Sequence, residues 1–491
     1  MPLINVTNLT FSYDGGFEDI FENISFQIDT DWKLGFTGRN GRGKTTFLNL
    51  LMGKFDYSGS ISADVSFEYF PYEVKDERMD TAEVIDTIID GYQDWQLIRE
   101  LNLLEVSNDV LYRPFYTLSN GEQNKVLLAA LFLKENGFLL IDEPTNHLDM
   151  NGRRIVSEYL RGKRGFILVS HDRAFLDNCI DHILSINRTN IEIRKGNFSS
   201  WWHNKGLQDN QEIARNDALK KDINRLDKSA RRTSDWSDRV EKSKSGRISG
   251  VKPDKGYVGH KSAKMMKRSK VLETRLHDAI EEKSALLKNI ETASSLKIHP
   301  LRYHTNRMAE LENISIIFEE CPICEGVSFS IESGDRIALG GGNGSGKSSI
   351  IKLILGETIP YQGIIRKGSR LKISYISQTV SDLTGHLTDY ARDSGIDQTL
   401  FKTILRKLDF SRGMFDIDMK NFSDGQKKKV MLARSLCESA HLYIWDEPLN
   451  YVDVISRMQI EELIRYYEPT LLFVEHDRAF CDNIATKKIL I

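Results

Sequence analysis

Two glycine-rich segments constrain this chain of 491 residues more than any other feature: Gly38-Arg39-Asn40-Gly41-Arg42-Gly43-Lys44-Thr45 and Gly341-Gly342-Asn343-Gly344-Ser345-Gly346-Lys347-Ser348, with their lysines 303 residues apart. Each fits the pattern G-x-x-x-x-G-K-[ST]. In that pattern the glycines let backbone N–H groups close on phosphate, the lysine reaches the terminal phosphates, and the hydroxyl helps to hold Mg²⁺. Such a loop joins a strand to a helix, whose N-terminus lends partial positive charge to the same phosphates. Leu34-Gly35-Phe36-Thr37 and Ile337-Ala338-Leu339-Gly340 supply the strands, so an α/β fold with a parallel sheet is expected twice.

The later motifs follow both loops in the same order, which makes the chain an internal repeat. We expect a first domain over residues 1–202, a helical middle over 203–300 and a second domain over 301–491. The net charge of -3 conceals a division: residues 203–299 hold 23 Lys+Arg against 14 Asp+Glu, and the rest of the chain holds 44 against 56. Five cysteines, at 179, 321, 324, 437 and 481, are too few and too odd in number for a disulfide framework and fit a reduced compartment. Cys321-Pro322-Ile323-Cys324 has no second pair and no nearby histidines to complete four ligands, so no metal is expected there. The chain has no apolar run near the ~18 to 20 residues that span a bilayer, and its first residues lack a basic segment followed by a long apolar one. A cytoplasmic protein with no membrane partner is the expectation.

In the middle segment, Leu219, Ile223, Leu226 and Ala230 run at spacings of 4, 3 and 4, and Leu272, Leu276, Ala279, Leu286 and Ile290 keep the same frame, with Lys283 as the polar interruption. This predicts an antiparallel coiled-coil hairpin that turns within residues 241–260, which are rich in Gly, Ser, Pro and Lys. A helix of about 30 residues would carry the tip roughly 45 Å.

Phe138-Leu139-Leu140-Ile141-Asp142-Glu143 and Leu442-Tyr443-Ile444-Trp445-Asp446-Glu447 read as buried strands ending in two acids. The first acid of each pair suits Mg²⁺, and the second suits polarising an attacking water. His171 and His476 each follow a further apolar strand, where an imidazole would contact the γ-phosphate or position the water. Leu118-Ser119-Asn120-Gly121 and Phe422-Ser423-Asp424-Gly425 precede apolar helices, which alone indicates a helix cap and, with exposed amides, an anion site.

The order of phosphate loop, Ser-x-Gly motif, acidic strand and histidine, together with Asp142-Glu143-Pro144-Thr145-Asn146-His147-Leu148-Asp149, resembles the ABC-F subfamily of ATP-binding cassette ATPases, the twin-cassette proteins that work on ribosomes. The resemblance covers essentially the whole chain. Trp32-Lys33-Leu34-Gly35, Gly38 to Thr45, Arg113-Pro114-Phe115, Gly196-Asn197-Phe198-Ser199, Met266-Lys267-Arg268-Ser269-Lys270 and Tyr443 to Asn450 are similar to the Lsa-type antibiotic-resistance factors of that subfamily.

The resemblance implies two ATP molecules sandwiched head-to-tail between the cassettes. One site joins Lys44, Thr45, Asp142, Glu143 and His171 to Ser423 and Gly425; the other joins Lys347, Ser348, Asp446, Glu447 and His476 to Ser119 and Gly121. Gly38, Asn40, Gly41, Gly43 and Thr46, with Gly341, Asn343, Gly344, Gly346 and Ser349, complete the phosphate contacts, and Tyr13 and Phe318 stand where the family places an aromatic on adenine. Thr45, Asp142, Ser348, Asp446 and Gln378 are the implied Mg²⁺ contacts. Three departures stand out. Tyr72 occupies the place that Gln378 holds in the second cassette, and a tyrosine lacks the amide contacts, so slower hydrolysis is expected in the first site. Leu449 and Tyr451 replace the family's Thr and His, a change that also occurs in the Lsa-type branch, and Asn120 and Asp424 each replace a common glycine.

From residue 239 to 270 there are 11 Lys+Arg against two Asp+Glu. A solvated charge run is the plain reading, but on a projecting hairpin such a run suits a polyanion, because each Lys or Arg can displace a counterion from a phosphate backbone. The candidate RNA contacts are Lys242, Lys244, Arg247, Lys252, Lys255, Tyr257, Lys261, Lys264, Lys267 and Arg268, with Tyr257 available to stack on a base. The resemblance makes the partners the ribosome, through its large-subunit RNA at the tRNA exit site, and the P-site tRNA. It also makes the activity a protection against lincosamides, pleuromutilins and streptogramin A compounds, with a housekeeping translation factor as the alternative. A monomer with intramolecular pairing of its cassettes is implied. DNA is not, since the Cys321/Cys324 pair lies beside the second domain and not at a coil tip.

Overall fold

The computed structural model describes residues 3–13, 19–134, 136–146, 148–186, 191–242, 296–318, 321–380, 383–410 and 412–491, together with Lys264, Lys267, Lys270, Val271, Thr274 and Arg275. Contacts divide the chain into one unit of Met1–Trp201 with Ala293–Ile491 and another of Trp202–Thr292.

The first unit contains the same architecture twice. In the N-terminal copy, β1 (Leu3–Phe11) pairs antiparallel with β2 (Phe21–Asp29) and with β4 (Ser58–Ser62). A six-stranded sheet has the order β5-β6-β7-β3-β8-β9, built from β3 (Lys33–Thr37), β5 (Ser66–Phe70), β6 (Gly137–Asp142), β7 (Phe166–Val169), β8 (His182–Ile186) and β9 (Ile191–Lys195). Its pairs are parallel except β8 with β9. The helices are α1 (Lys44–Leu51), α2 (Thr81–Ile88), α3 (Asp94–Leu103), α4 (Asn120–Leu131), α5 (Met150–Arg161) and α6 (Arg173–Cys179). β7 reads Phe-Ile-Leu-Val and is buried at every position, which is why the strand shows no alternation: a parallel sheet is covered on both faces. Leu34, Phe36, Phe47, Leu140, Ile167 and Leu184 form the centre of this copy's core.

α7 (Phe198–Lys242), whose first four residues belong to the first unit and the rest to the second, is a continuous helix of 45 residues, roughly 68 Å at 1.5 Å per residue. It is longer than the 30 residues expected because it starts well before the apolar repeat. The Asn197 side chain accepts from Ser200 N at 3.0 Å, and Phe198 and Trp201 of the first turn are buried. Leu219 and Ile223 are half-buried. Lys264, Lys267, Lys270, Val271, Thr274 and Arg275 are helical and exposed. The expected turn, the apolar positions of the return segment, the Lys242 side chain, Lys244, Arg247, Lys252, Lys255, Tyr257, Lys261 and Arg268 lie outside the described residues. Among the described residues, no helix is long and apolar enough to cross a membrane.

In the C-terminal copy, β10 (Arg307–Phe318) pairs antiparallel with β11 (Cys321–Glu332) and β13 (Tyr361–Lys367). β12 (Arg336–Gly340), β14 (Ile373–Ile376), β15 (Leu442–Asp446), β16 (Leu471–Val474) and β17 (Lys487–Leu490) make an all-parallel sheet in the order β14-β15-β16-β12-β17. Its helices are α8 (Lys347–Leu355), α9 (Leu387–Asp393), α10 (Gln398–Lys407), α11 (Asp424–Cys437), α12 (Val454–Tyr467) and α13 (Arg478–Ile484). The tandem α/β architecture is therefore the one that the repeated motifs call for. The parallel order brings the carboxyl ends of β3, β6 and β7, and of β12, β15 and β16, side by side, and the motif residues leave the sheets at those ends.

Candidate nucleotide sites

Each phosphate loop turns from its strand into α1 or α8 through a left-handed glycine, Gly43 (φ 88°) or Gly346 (φ 92°). A Cβ on Gly43 would come within 2.6 Å of Ile20 Cγ2, and one on Gly346 within 2.9 Å of Ile323 Cγ2, so both the conformation and the space require glycine. The two lysines are buried against their own loops. Lys44 Nζ donates to the carbonyls of Gly38 (2.7 Å) and Arg39 (3.2 Å), and Lys347 Nζ to those of Gly341 (3.0 Å) and Gly342 (2.6 Å). Burial lowers the pKa of both ammonium groups, with the neighbouring acids opposing it. Tyr13 lies beside the first loop: its ring is half-exposed, edge-on to Phe11 and Phe55, and its hydroxyl is 2.8 Å from Thr46 Oγ1. The side chain of Phe318 lies outside the described residues.

The acidic pairs close β6 and β15. Glu143 (φ 52°) and Glu447 (φ 48°) both adopt left-handed backbone, each pinned by its N–H donating to the neighbouring strand, to Val169 O at 2.9 Å and Val474 O at 3.0 Å. This conformation costs a non-glycine residue about 1–2 kcal/mol, and it recurs at the same place in both copies. Thr45 Oγ1 and the Tyr69 hydroxyl both donate to Asp142 Oδ2 at 3.0 Å, and Ser348 hydrogen-bonds Asp446. Burial raises the pKa of both aspartates against these donors. Asp446 Oδ1 is buried with no hydrogen-bond partner.

The two glutamates differ. Glu143 lies 3.3 Å from His171 Nε2, and its Oε1 is buried without a hydrogen bond. Burial and then the Asp142 carboxylate raise its pKa, against Arg457, Lys44 and Arg153. Burial, with Lys44 and Arg457 behind it, holds the His171 imidazole neutral, well below the usual histidine range. Burial also works against ionisation at Glu447, but hydrogen bonds from His476 and Gln378 and the Lys428 ammonium outweigh it and hold the carboxyl down to about 2. Asn450 Nδ2 donates to Glu447 Oε2 at 2.6 Å. At the place of Gln378 the first copy has Tyr72, which is half-buried; there Tyr69 supplies the hydroxyl donor, to Asp142 and not to the glutamate.

Ser119 and Ser423 cap α4 and α11, each in a reciprocal box with Glu122 or Gln426. The cap reading holds, and the same turns also face the opposite copy. A cavity of about 1170 Å³ is lined by Ser119, Gly121, Gly342 to Ser349, Gln378, Glu447 and His476. It thus joins the first copy's Ser-x-Gly motif to the second copy's phosphate loop. On the other side, Asn40 Nδ2 donates to Tyr451 O at 2.8 Å, and a Cβ on Gly425 would meet that same oxygen at 2.8 Å. Tyr451 (φ 62°) therefore ties the second copy's Ser-x-Gly turn to the first loop.

Sequence reasoning missed the residues that follow the acidic strands. Asp149 and Asp453 cap α5 and α12, accepting from Gly152 N (2.7 Å) and Ser456 N (2.9 Å). Asp149 Oδ2 is 3.8 Å from where a Cβ on Gly342 would stand, and Asp453 acts on Lys44. One turn on, Arg153 and Arg457 hold Asp172 (3.0 Å) and Asp477 (3.2 Å) of their own copies. An Asp and an Arg four apart after each acidic strand were a visible signal, since they recur in both copies.

A model of the family described as ABC transporter matches residues 21–146 and 324–450. Curated relatives align along nearly the whole chain: the ribosome protection protein VmlR of Bacillus subtilis (28% identity, 100% of this chain and 86% of that protein), the ATP-binding protein Uup of Buchnera aphidicola (27%, 99% and 80%) and the putative ATP-binding protein YdiF of Bacillus subtilis (26%, 99% and 79%). Among solved structures, the archaeal ribosome recycling factor aABCE1, in complex with the ribosomal stalk protein aP1, superposes with a TM-score of 0.61 at 19% identity, over 96% of this chain and 84% of that one. RNase-L Inhibitor does so with 0.59 at 18%, over 93% and 82%. These structures share the twin-cassette fold.

Proposed function

The chain belongs to the ATP-binding cassette family and to its ABC-F branch, and is an ATPase; from that premise we propose that it binds the ribosome under ATP control and protects it from lincosamides, pleuromutilins and streptogramin A compounds. The observation that carries this reading is the cavity built from both copies, because a nucleotide there would bridge the cassettes and reward only their closed arrangement. Similarity along the whole length to a ribosome protection protein supports the ribosome as partner, and the basic segment from 239 to 270, with Lys264 and Lys267 helical and exposed, suits its RNA. In this reading residues 1–202 and 301–491 are the cassettes. Residues 203–300 form the arm that passes through the tRNA exit site, beside the P-site tRNA, towards the peptidyl-transferase centre.

At each site, the buried lysine and the loop amides would hold the β- and γ-phosphates, and the serine of the opposite cassette would cap the γ-phosphate. Tyr13 would lie along the adenine of the first nucleotide. The orphaned Asp446 Oδ1 beside Ser348, and Asp142 beside Thr45, fit a hydrated Mg²⁺, which would neutralise phosphate charge; Gln378, bonded to Glu447, lines the same cavity as Ser348 in the second site. Glu447, ionised and oriented by His476, Gln378 and Asn450, would take the proton of the attacking water.

Two experiments test the reading. Expression in a drug-sensitive host is expected to raise the inhibitory concentration of all three drug classes; no protection would remove the resistance claim. Glu143→Gln with Glu447→Gln is expected to trap the protein on ribosomes with ATP, and failure to trap would remove the gating. The similarity to Uup, within a percentage point of that to VmlR, favours a second reading, a translation factor without drug protection. A growth defect on deletion without any drug would select it.

A further inference from the structure

We infer that the two nucleotide sites open unequally: a one-sided seam of charge pairs between the cassettes holds the first site shut, so that nucleotide leaves the second site first. The inference rests on the composite sites proposed above and adds their order of opening.

The seam has two parts. In the first loop, the guanidinium groups of Arg39 and Arg42 lie 3.9 and 3.8 Å from Asp409 Oδ1 of the second cassette. Asp409 sits just past the end of α10 in a left-handed turn (φ 65°), fixed by its own N–H to Arg406 O and that of Phe410 to Leu405 O, both at 3.0 Å. Two residues after His171, Arg173 pairs with Glu461 on α12, and Asn483 Nδ2 holds the other oxygen of Glu461 at 3.3 Å. Both partners of this second pair are buried. Asp453, the cap of α12, with Arg457 and Glu461 stands at i, i+4 and i+8; Asp453 acts electrostatically on Lys44 and Arg457 on Glu143, while Glu461 pairs with Arg173.

The repeat provides an internal control, because every seam position has a counterpart at the second site. Arg39 and Arg42 correspond to Gly342 and Ser345, and neither replacement carries charge. Glu461 corresponds to Ser157, whose hydroxyl donates to Arg154 O at 2.8 Å within its own helix. Arg173 corresponds to Arg478, which is largely exposed and pairs with Asp482 of its own helix. Asp409 corresponds to Glu105, also left-handed (φ 51°), whose ion pair is with Arg154 of its own cassette. At these counterpart positions the second site thus carries uncharged residues or charges already paired at home, and the 1170 Å³ cavity lies on this side.

The pairs differ in weight. Those at Asp409 are long and partly exposed, and contribute little singly. Arg173 and Glu461 are buried, and parting them leaves a desolvated charge on each side until water enters. Opening the first site must break this pair, whereas among the described residues its counterparts at the second site, Arg478 and Ser157, bond within their own helices. Tyr72 lies on the same side in place of Gln378, so a slow hydrolysis step and a slow opening step would coincide in one site.

The test uses the full chain with Glu143→Gln and Glu447→Gln, so that release is read without turnover and without ribosomes. The protein is loaded with Mg²⁺ and radiolabelled 8-azido-ATP, chased with unlabelled ATP, irradiated at intervals and digested, and label is counted on peptides of each cassette. Label is expected to leave the second cassette at least about ten-fold faster than the first. Adding Arg173→Ala with Asp409→Ala should speed loss from the first cassette by about the same factor and leave the second unchanged. The charge-exchanged pair Arg173→Glu with Glu461→Arg should restore slow release, which a role in packing alone would not produce; a melting curve for each variant reports its folding. Equal release from both cassettes, or slow first-site release that survives loss of the seam, would overturn the inference while leaving the composite sites standing. Failure of either cassette to take label would overturn both readings.

Discussion

At the scale of single residues, the two copies of one motif have been given different chemistry by their neighbours. Glu447 is held ionised by His476 and Gln378, whereas burial and Asp142 make Glu143 keep its proton to higher pH. A general base works only when deprotonated, and such a group contributes about 10²–10⁴-fold. At pH 7, Glu447→Gln is therefore expected to lower steady-state phosphate release by about 10²-fold or more, and Glu143→Gln by much less; equal losses would refute the asymmetry. The pH dependence follows from the same shift. With its pKa near 2, Glu447 stays charged across the range in which the protein is folded, so it does not set the acid limb of kcat. His476→Ala removes the first hydrogen bond opposing burial, which raises that pKa. The acid limb should then move up to about pH 5–6, visible in a pH–rate profile. The acids and histidines themselves were legible in the sequence because each motif is contiguous. Tyr69, which donates to Asp142 from 73 residues away, was not, because it lies on a neighbouring strand, β5, whose pairing with β6 is set by the sheet.

At the scale of elements, α12 shows how a cap reaches the candidate site by its charge. Asp453 accepts from Ser456 N and also pairs with Lys429 of α11 at 2.9 Å, and both side chains are buried. Burial opposes ionisation of Asp453, but the Lys429 ammonium and the cap bonds overcome it and hold the pKa below the usual carboxylate range. The sign follows: a depressed pKa means that the stabilisation is fully present above the unfolded value near 3.9 and is lost as the pH falls towards the folded one. Asp453→Asn leaves Lys429 buried without its counterion, so a loss of about 3–5 kcal/mol is expected, read from the urea midpoint at pH 7. A variant as stable as the parent would show that the pair is not buried in solution. Helix starts such as Ser119 and Ser423 were readable from sequence because capping is local. The start of α7 at Phe198 was not, since it depends on two aromatic side chains finding a core and not on the heptad further along.

At the scale of the whole molecule, the proposal joins a clamp to a basic arm. Lys264 and Lys267 are exposed helical positions of that arm. If they meet ribosomal phosphates, replacing each by Ala should weaken ribosome association and lower its salt dependence by about one unit of slope in log K against log salt. Unchanged slopes would place these lysines away from the RNA. The sequence by itself determined the tandem fold, both phosphate loops, both acidic strands, both histidines and the charge of the middle segment, because each is written in neighbouring residues or in their repetition. Only the tertiary structure decided which of the residues that differ between the copies pair across their interface. Arg173 and Glu461 are 288 residues apart, and Asn40 and Tyr451 are 411 apart. Pairing at such distances depends on how two cassettes pack face to face, and no local pattern encodes it. The duplicated loops that made the chain look symmetric thus frame an interface whose charges are not.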